Sequence, residues 1–180
     1  AMARPNSASH DLKRDEILDI AARHELWVHA DAAYGGFLRL AQGGKDLMPG
    51  LERCDSITLD PHKGLFLPYG TGCLLVRDGA ALRRAHEINA DYLHDAVEGG
   101  EQVDFTHLSP ELSRDFRGLR LWLPLMLHGV NAFREQLTEK LELARAAFKV
   151  LKSDPRFEVL DEPQLSVVAF RLRDGDDALN

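Results

Sequence analysis

The sequence contains no run of about 18 apolar residues, so no transmembrane helix is expected. It has only two cysteines, Cys54 and Cys73, in no CxxC pattern, and we expect reduced thiols in a cytoplasmic protein. Basic residues are also few, since 22 Lys and Arg stand against 29 Asp and Glu, for a net charge of −7. That balance argues against bulk nucleic-acid binding and leaves no basic anchor for an anionic membrane.

The two ends of the chain lack the features of complete domain ends. Residues 1–10 are small and polar, without the apolar stretch of a signal peptide, and we interpret them as a tag, a scar or a cut loop. The last residues, GDDALN, resemble a turn and the start of a helix that is too short to bury anything. We therefore expect a segment of a longer protein, although 180 residues suffice to bury a core.

Short apolar runs alternate with helical patterns in the first half of the chain. The runs do not alternate apolar with polar residues, which is typical of a sheet covered on both faces, as in α/β proteins. We expect Trp27 and Trp122 to be core anchors. The patterns predict strands over 26–30, 55–59 and 72–77, and helices over 11–25 and 80–88.

The second half of the chain changes character. Residues 91–115 show no clear period, and a loop of that length in a compact protein is usually functional or disordered. Residues 116–152 read as helical, with a kink or break expected at Pro124 or Gly129. The segments RFEVL and LSVVAFRL then alternate apolar and polar residues, which predicts two strands of a second sheet.

Charged residues follow two of the predicted strands. The first strand ends in HAD, which closes with Asp31, and the second is followed by DPHK, which contains Lys63. Because ligands bind at the carboxyl ends of strands in an open α/β sheet, these two residues can face one pocket. A lysine amine forms a Schiff base with a carbonyl if its pKa is lowered enough to leave it nucleophilic. Pyridoxal phosphate (PLP) requires such a lysine, and also a carboxylate at its pyridine nitrogen.

Other interpretations of the same residues are open at this point. His29 and Asp31, with Asp60 and His62, could be a metal cluster, although Lys63 beside His62 would repel a cation. Lys63 by itself could be a surface lysine, and Asp31 could be a helix N-cap. The motifs have to be taken together to decide between these possibilities.

Taken together, WVHADAAYGGF and DSITLDPHKGLFLPYGTGCLLVRD resemble the cofactor-binding segment of the group II PLP-dependent amino-acid decarboxylases. These are the aromatic-L-amino-acid, glutamate and related decarboxylases. The resemblance continues through ADYLHD, SRDFRGLRLW, DPRFEVL and VVAFRL, and covers nearly the whole chain from about Leu12 onward. DAAYGG together with DPHK is a specific signal, whereas each half alone would be weak.

The resemblance implies a role for each matching residue of the cofactor site. Lys63 resembles the Schiff-base lysine, and Asp31 resembles the aspartate that pairs with the pyridinium nitrogen. Ala33 resembles the small residue packed against the ring, and His62 resembles the histidine that helps to hold the phosphate. Asp60 stands where relatives often have Asp or Asn near the phosphate, although a carboxylate would repel that group unless it accepts backbone N–H bonds.

Two further residues are implied by the resemblance. Tyr92 resembles the tyrosine on the mobile catalytic loop that protonates the substrate carbon after CO2 leaves, a position at which aldehyde-forming relatives have Phe. Arg114 resembles an arginine that binds a substrate carboxylate or contacts the partner subunit, and a surface ion pair is an equal alternative.

The expected organisation follows from the same resemblance. Part of a fold type I (PLP-dependent transferase-like) α/β large domain would span 11–115, including the catalytic loop 91–115. Connecting helices would follow over 116–152, and the start of a small α+β C-terminal domain over 153–180. The complete protein would be a homodimer that decarboxylates an amino acid, with an aromatic L-amino acid favoured. A glutamate- or aspartate-type decarboxylase, or a truncated inactive remnant that binds PLP or dimerises, is the alternative.

Overall fold

The computed structural model describes residues 14–86, 105–173 and 175. Four helices are described: α1 (Arg14–Arg23), α2 (Pro61–Gly64), α3 (Gly79–His86) and α4 (Gly118–Ser153). Five strands are described: β1 (His29–Asp31), β2 (Ser56–Leu59), β3 (Cys73–Val76), β4 (Phe157–Val159) and β5 (Phe170–Leu172). Short 3-10 segments lie at Gly36–Leu40, Gly44–Asp46, Leu51–Arg53 and Phe105–Leu108.

The first sheet has the order β1-β2-β3. β1 and β2 are parallel, with Asp31 opposite Thr58, so both strands end at the same edge of the sheet. β3 runs antiparallel to β2, with Leu59 opposite Cys73. Leu74 and Leu75 point to opposite faces of β3 and are 53% and 50% exposed. The apolar runs had predicted a sheet covered on both faces. Among the described residues, side chains on both faces of β3 are instead half exposed.

The core lies between the second half of α4 and the segment that follows β1. Leu137 is fully buried, and it packs in one cluster with Leu38 and Leu65. The buried side chains on α4 recur at helical spacing, which places them on one face of the helix. They are Phe133, Leu137, Leu141, Ala144 and Phe148.

The long helix α4 is interrupted at Gly129, where φ is 71° and ψ is 161°. Residues with a side chain avoid this backbone region, so glycine allows the break that the sequence predicted. Pro124 lies inside the first half of the helix. Trp122 in that half is 56% exposed and Trp27 is 54% exposed, so the expectation that both are core anchors is wrong for this chain.

The second sheet pairs β4 with β5 in antiparallel register, with Phe157 opposite Leu172. The rings of Phe157 and Phe170 meet edge to face, with their centroids 5.6 Å apart. The two predicted strands are therefore present, although each is shorter than the alternating pattern suggested. No helix in the described ranges is long and apolar enough to cross a membrane.

Candidate active site

The candidate site is formed where the parallel strands β1 and β2 end. The Ala32 amide donates to the Thr58 carbonyl at 3.0 Å, and the Asp60 amide donates to the Ala33 carbonyl at 3.2 Å. These two bonds extend the strand pairing into the residues that follow each strand. The DAAYGG and DPHK motifs thus lie side by side at one edge of the sheet, and Asp31 is close enough to affect the pKa of Lys63.

Asp31 is held in a turn by its own side chain. Its Oδ1 accepts the Ala33 amide at 3.1 Å, and its Oδ2 has no hydrogen-bond partner among the described residues. Gly36 permits the tight packing of the following segment, because a Cβ there would collide with the Leu59 side chain. The carboxylate is therefore fixed at the strand end with one oxygen left for a ligand.

Lys63 lies on the single turn of α2 and is paired with the residue that precedes that turn. Its Nζ is 2.7 Å from Asp60 Oδ2, and the two side chains are 42% and 15% exposed. The hydrogen bond from Asp60 is the largest cause of a raised pKa at Lys63, with burial acting in the opposite direction. In the protein without its cofactor the pKa of Lys63 is therefore not lowered, because a carboxylate contacts the amine.

His62 is oriented by a carbonyl that sequence reasoning did not single out. Its Nδ1 is 2.7 Å from the carbonyl of Thr71, a residue only 3% exposed. Because a carbonyl only accepts, Nδ1 must bear the proton of that bond. The Tyr69 ring lies 4.5 Å from the imidazole, centroid to centroid. No pattern in PYGTG marks either residue, since their position depends on how the chain returns toward β3.

The side chain of His29 contacts hydroxyl groups on β2. Its Nδ1 lies 2.8 Å from Ser56 Oγ, and its Nε2 lies 3.1 Å from Thr58 Oγ1. Both ring nitrogens are thus engaged by hydroxyl groups on β2. Within the described ranges, no group of three or more His, Cys, Asp or Glu side chains is placed to hold a metal ion.

Two of the predicted residues are not brought to this edge by the described contacts. Arg114 donates to Ser109 Oγ, and to the Phe105 carbonyl at 2.6 Å, so it braces the 3-10 segment that precedes it. No contact of its guanidinium with a carboxylate is present among the described residues. Tyr92 lies outside the described residues.

The residues at the sheet edge fit the demands of PLP. A reachable amine on Lys63 and an exposed carboxylate on Asp31 follow adjacent strand ends. Ala32 and Ala33 keep side chains small beside that carboxylate, and His62 has a fixed orientation. Such a donor set suits an aldehyde cofactor with a basic ring nitrogen.

The fold and the site together define an α/β protein with a lysine and an aspartate at one parallel sheet edge. Residues 7–173 match the family model described as the pyridoxal-dependent decarboxylase conserved domain, and the chain belongs to that family. Membership confirms the predicted family, its fold type I architecture and its dependence on PLP.

Individual relatives agree with this membership. The chain is 37% identical over 160 residues to an aromatic-L-amino-acid decarboxylase of Bacillus atrophaeus, covering 87% of this chain and 33% of the relative. It is 36% identical over 160 residues to tryptophan decarboxylase 1 of Oryza sativa subsp. japonica, covering 88% and 31%. The crystal structure of Oryza sativa TDC with PLP and tryptamine superimposes with a TM-score of 0.81 at 35% identity, covering 88% and 32%. The chain thus spans about a third of the length of these relatives.

Proposed function

We propose that the complete protein uses PLP to decarboxylate an L-amino acid, with an aromatic L-amino acid favoured, and releases the amine and CO2. The observation that supports this most directly is the juxtaposition of Asp31 and Lys63 at the ends of the parallel strands β1 and β2. The aromatic preference is supported by the relatives, which include an aromatic-L-amino-acid decarboxylase and a structure solved with tryptamine.

Each residue at the sheet edge then has a task. When bound, PLP supplies a carbonyl carbon for a lysine amine and a ring that withdraws electrons from the substrate's alpha carbon. Lys63 is the point of covalent attachment, and the Oδ2 of Asp31 holds a proton on the ring nitrogen. Ala33 leaves room for the ring. His62 and Asp60 remain predicted neighbours of the phosphate, and Asp60 also contacts the Lys63 amine.

Two roles are proposed from the family resemblance rather than from contacts. Tyr92 returns a proton to the substrate's alpha carbon after CO2 leaves, since a phenol can donate where a phenyl ring cannot. Arg114 binds the substrate carboxylate, because a guanidinium can contact both carboxylate oxygens at once. That second role would require Arg114 to exchange its contacts with Ser109 and Phe105 for the substrate.

The attachment site can be tested directly on the complete protein. We expect borohydride treatment of the PLP-loaded protein to fix the cofactor to the peptide that contains Lys63. Lys63→Ala should abolish this labelling and all turnover, because it removes the amine that lies beside the end of β2. Lys149→Ala is the matched control, since that lysine is exposed on α4, and it should label and turn over normally. Cofactor fixed elsewhere, or turnover by Lys63→Ala, would contradict the assignment.

The substrate class needs a separate experiment. Amine and CO2 should be measured with L-tryptophan, L-tyrosine and L-DOPA against L-glutamate and L-aspartate at equal concentrations. We expect release from the aromatic amino acids to exceed that from the acidic ones. Higher release from the acidic amino acids would favour the glutamate- or aspartate-type alternative. PLP binding without release from any of them would favour an inactive remnant.

We also propose a homodimer in the cytoplasm. An exposed apolar strip on the first half of α4 supports burial against another surface, since Trp122, Met126 and Leu127 are 56%, 65% and 70% exposed. A buried thiol at Cys54 suits a reducing compartment. Light scattering of the complete protein should give twice the mass of one chain, and a monomer at micromolar concentration would contradict the dimer.

A further inference from the structure

The carboxylate of Asp60 is placed for the lysine rather than for the backbone. Asp60 precedes α2 at the N-cap position, yet its side chain makes no capping hydrogen bond. Its Oδ2 lies 2.7 Å from Lys63 Nζ and 3.8 Å from His62 Nε2, and the side chain is 15% exposed. Because a carboxylate with little access to water needs a close partner, Lys63 is the group that compensates its charge.

The backbone holds this pair in register. The Asp60 carbonyl accepts the amides of Lys63 and Gly64, each at 3.0 Å, and the Asp60 amide is tied to Ala33. The two side chains therefore start from fixed positions on one helical turn. His62 does not replace Lys63 as the donor, since its Nε2 lies 3.8 Å from Asp60 Oδ2, too far for a hydrogen bond, and its Nδ1 faces the Thr71 carbonyl.

The charged groups around Lys63 all raise its pKa. The Asp60 hydrogen bond is the largest cause of the raised pKa, burial opposes it, and the charges of Asp60, Asp31 and Tyr69 add to it. His62 is a further titratable group nearby, and its Nε2 lies 3.8 Å from Asp60 Oδ2. Among the lysines that the structure describes, Lys63 alone has a carboxylate within ion-pair distance.

We propose that Asp60 is a positioning residue for Lys63, holding its amine as a paired ammonium in the cofactor-free protein and thereby restraining its reaction with aldehydes at neutral pH. An amine must lose its proton before it can attack a carbonyl carbon, so breaking this pair is a step that precedes attachment. The inference rests on the proposed function only for its biological meaning, since the amine's reactivity can be measured with any small aldehyde.

The test uses propionaldehyde with cyanoborohydride on the complete protein after hydroxylamine has removed any bound cofactor. The amine adds to the carbonyl carbon, water leaves, and hydride from cyanoborohydride reduces the resulting C=N bond. Peptide mass spectrometry reports the labelling rate of each lysine between about pH 7 and about pH 11.5, a range that extends past the ordinary lysine pKa of about 10.4. Lys45 and Lys149 are exposed and serve as internal references.

In the unaltered protein, Lys63 should reach half of its maximal labelling rate at a higher pH than Lys45 and Lys149. Asp60→Asn keeps the size of the side chain and removes its charge, and it should speed Lys63 labelling at pH 8 roughly threefold to tenfold. Asp60→Glu keeps the charge and should return the rate toward that of the unaltered protein. The two reference lysines should be unaffected by either substitution.

Two results would overturn the proposal. One is that Lys63 in the unaltered protein reaches half of its maximal labelling rate at the same pH as Lys45 and Lys149, or at a lower pH. This result does not depend on whether any variant folds. The other is an Asp60→Asn protein with unchanged circular dichroism and an unchanged Lys63 profile. Neither result bears on whether borohydride fixes PLP to Lys63, so failure here is distinguishable from failure of the proposed function.

Discussion

Replacing Leu137 by Ala should weaken the contact between α4 and both motif segments. Leu137 is completely buried, and it packs in one cluster with Leu38, which follows the Asp31 turn, and with Leu65, which follows Lys63. Leu143 lies on the same helix and is 60% exposed. The pair of substitutions Leu137→Ala and Leu143→Ala therefore changes the same atoms in two environments.

The expected magnitude follows from that difference in burial. Removing the three outer carbon atoms of a buried leucine, at about 0.8 kcal/mol each, lowers the free energy of unfolding by roughly 2.4 kcal/mol. The cavity left behind adds to this, so the total at Leu137 should be about 3–4 kcal/mol. At Leu143 most of the side chain is already in water, and the loss should be below about 1 kcal/mol.

Urea unfolding of the complete protein, followed by tryptophan fluorescence, measures the difference. Because both variants unfold the same protein with the same slope, the midpoint shift of Leu137→Ala should be at least about threefold that of Leu143→Ala. PLP retention should fall in the same variant, because both motif segments pack on this cluster. Equal midpoints for Leu137→Ala and Leu143→Ala would refute the assignment of the core to this face of α4.

Three further outcomes are expected. Asp31→Asn should lower turnover by at least about a hundredfold while PLP binding falls less, since the ring nitrogen loses its counter-charge; near-normal turnover in a decarboxylation assay would exclude the role. Tyr92→Phe should divert product from amine toward aldehyde with oxygen uptake, whereas amine at the normal rate without oxygen uptake would show that Tyr92 is not the proton donor. Asp154 should titrate by NMR with a pKa of about 2, because a hydrogen bond from the Arg156 side chain lowers its pKa. The stabilisation from this contact should be complete above the ordinary aspartate pKa and should be lost as the pH falls toward 2. Arg156→Gln should raise the Asp154 pKa toward 3.8, and an unchanged titration would refute the pairing.

Local sequence was sufficient for much of the element pattern and for the two motifs. The second and third predicted strands contain β2 and β3, the first overlaps β1 at residues 29–30, and the expected break in the long helix occurs at Gly129. These features depend on residues close in sequence, because apolar periodicity and glycine's access to positive φ are local properties. The juxtaposition of Asp31 and Lys63 was foreseeable for a related reason, since parallel strands end at one edge of a sheet.

Tertiary structure decided the contacts that set the chemistry. The pairing of Lys63 with Asp60 is a local contact within one helical turn, but only the pairing of β1 with β2 places Asp31 beside it. The orientation of His62 depends on the carbonyl of Thr71, which arrives from the chain that returns toward β3. Trp122 is apolar enough for a core, yet it is 56% exposed, whereas Leu121 and Leu125 on the same half of α4 pack against the core cluster. Hydrogen bonds and burial depend on where distant segments meet to within a few ångströms, which a one-dimensional pattern does not encode.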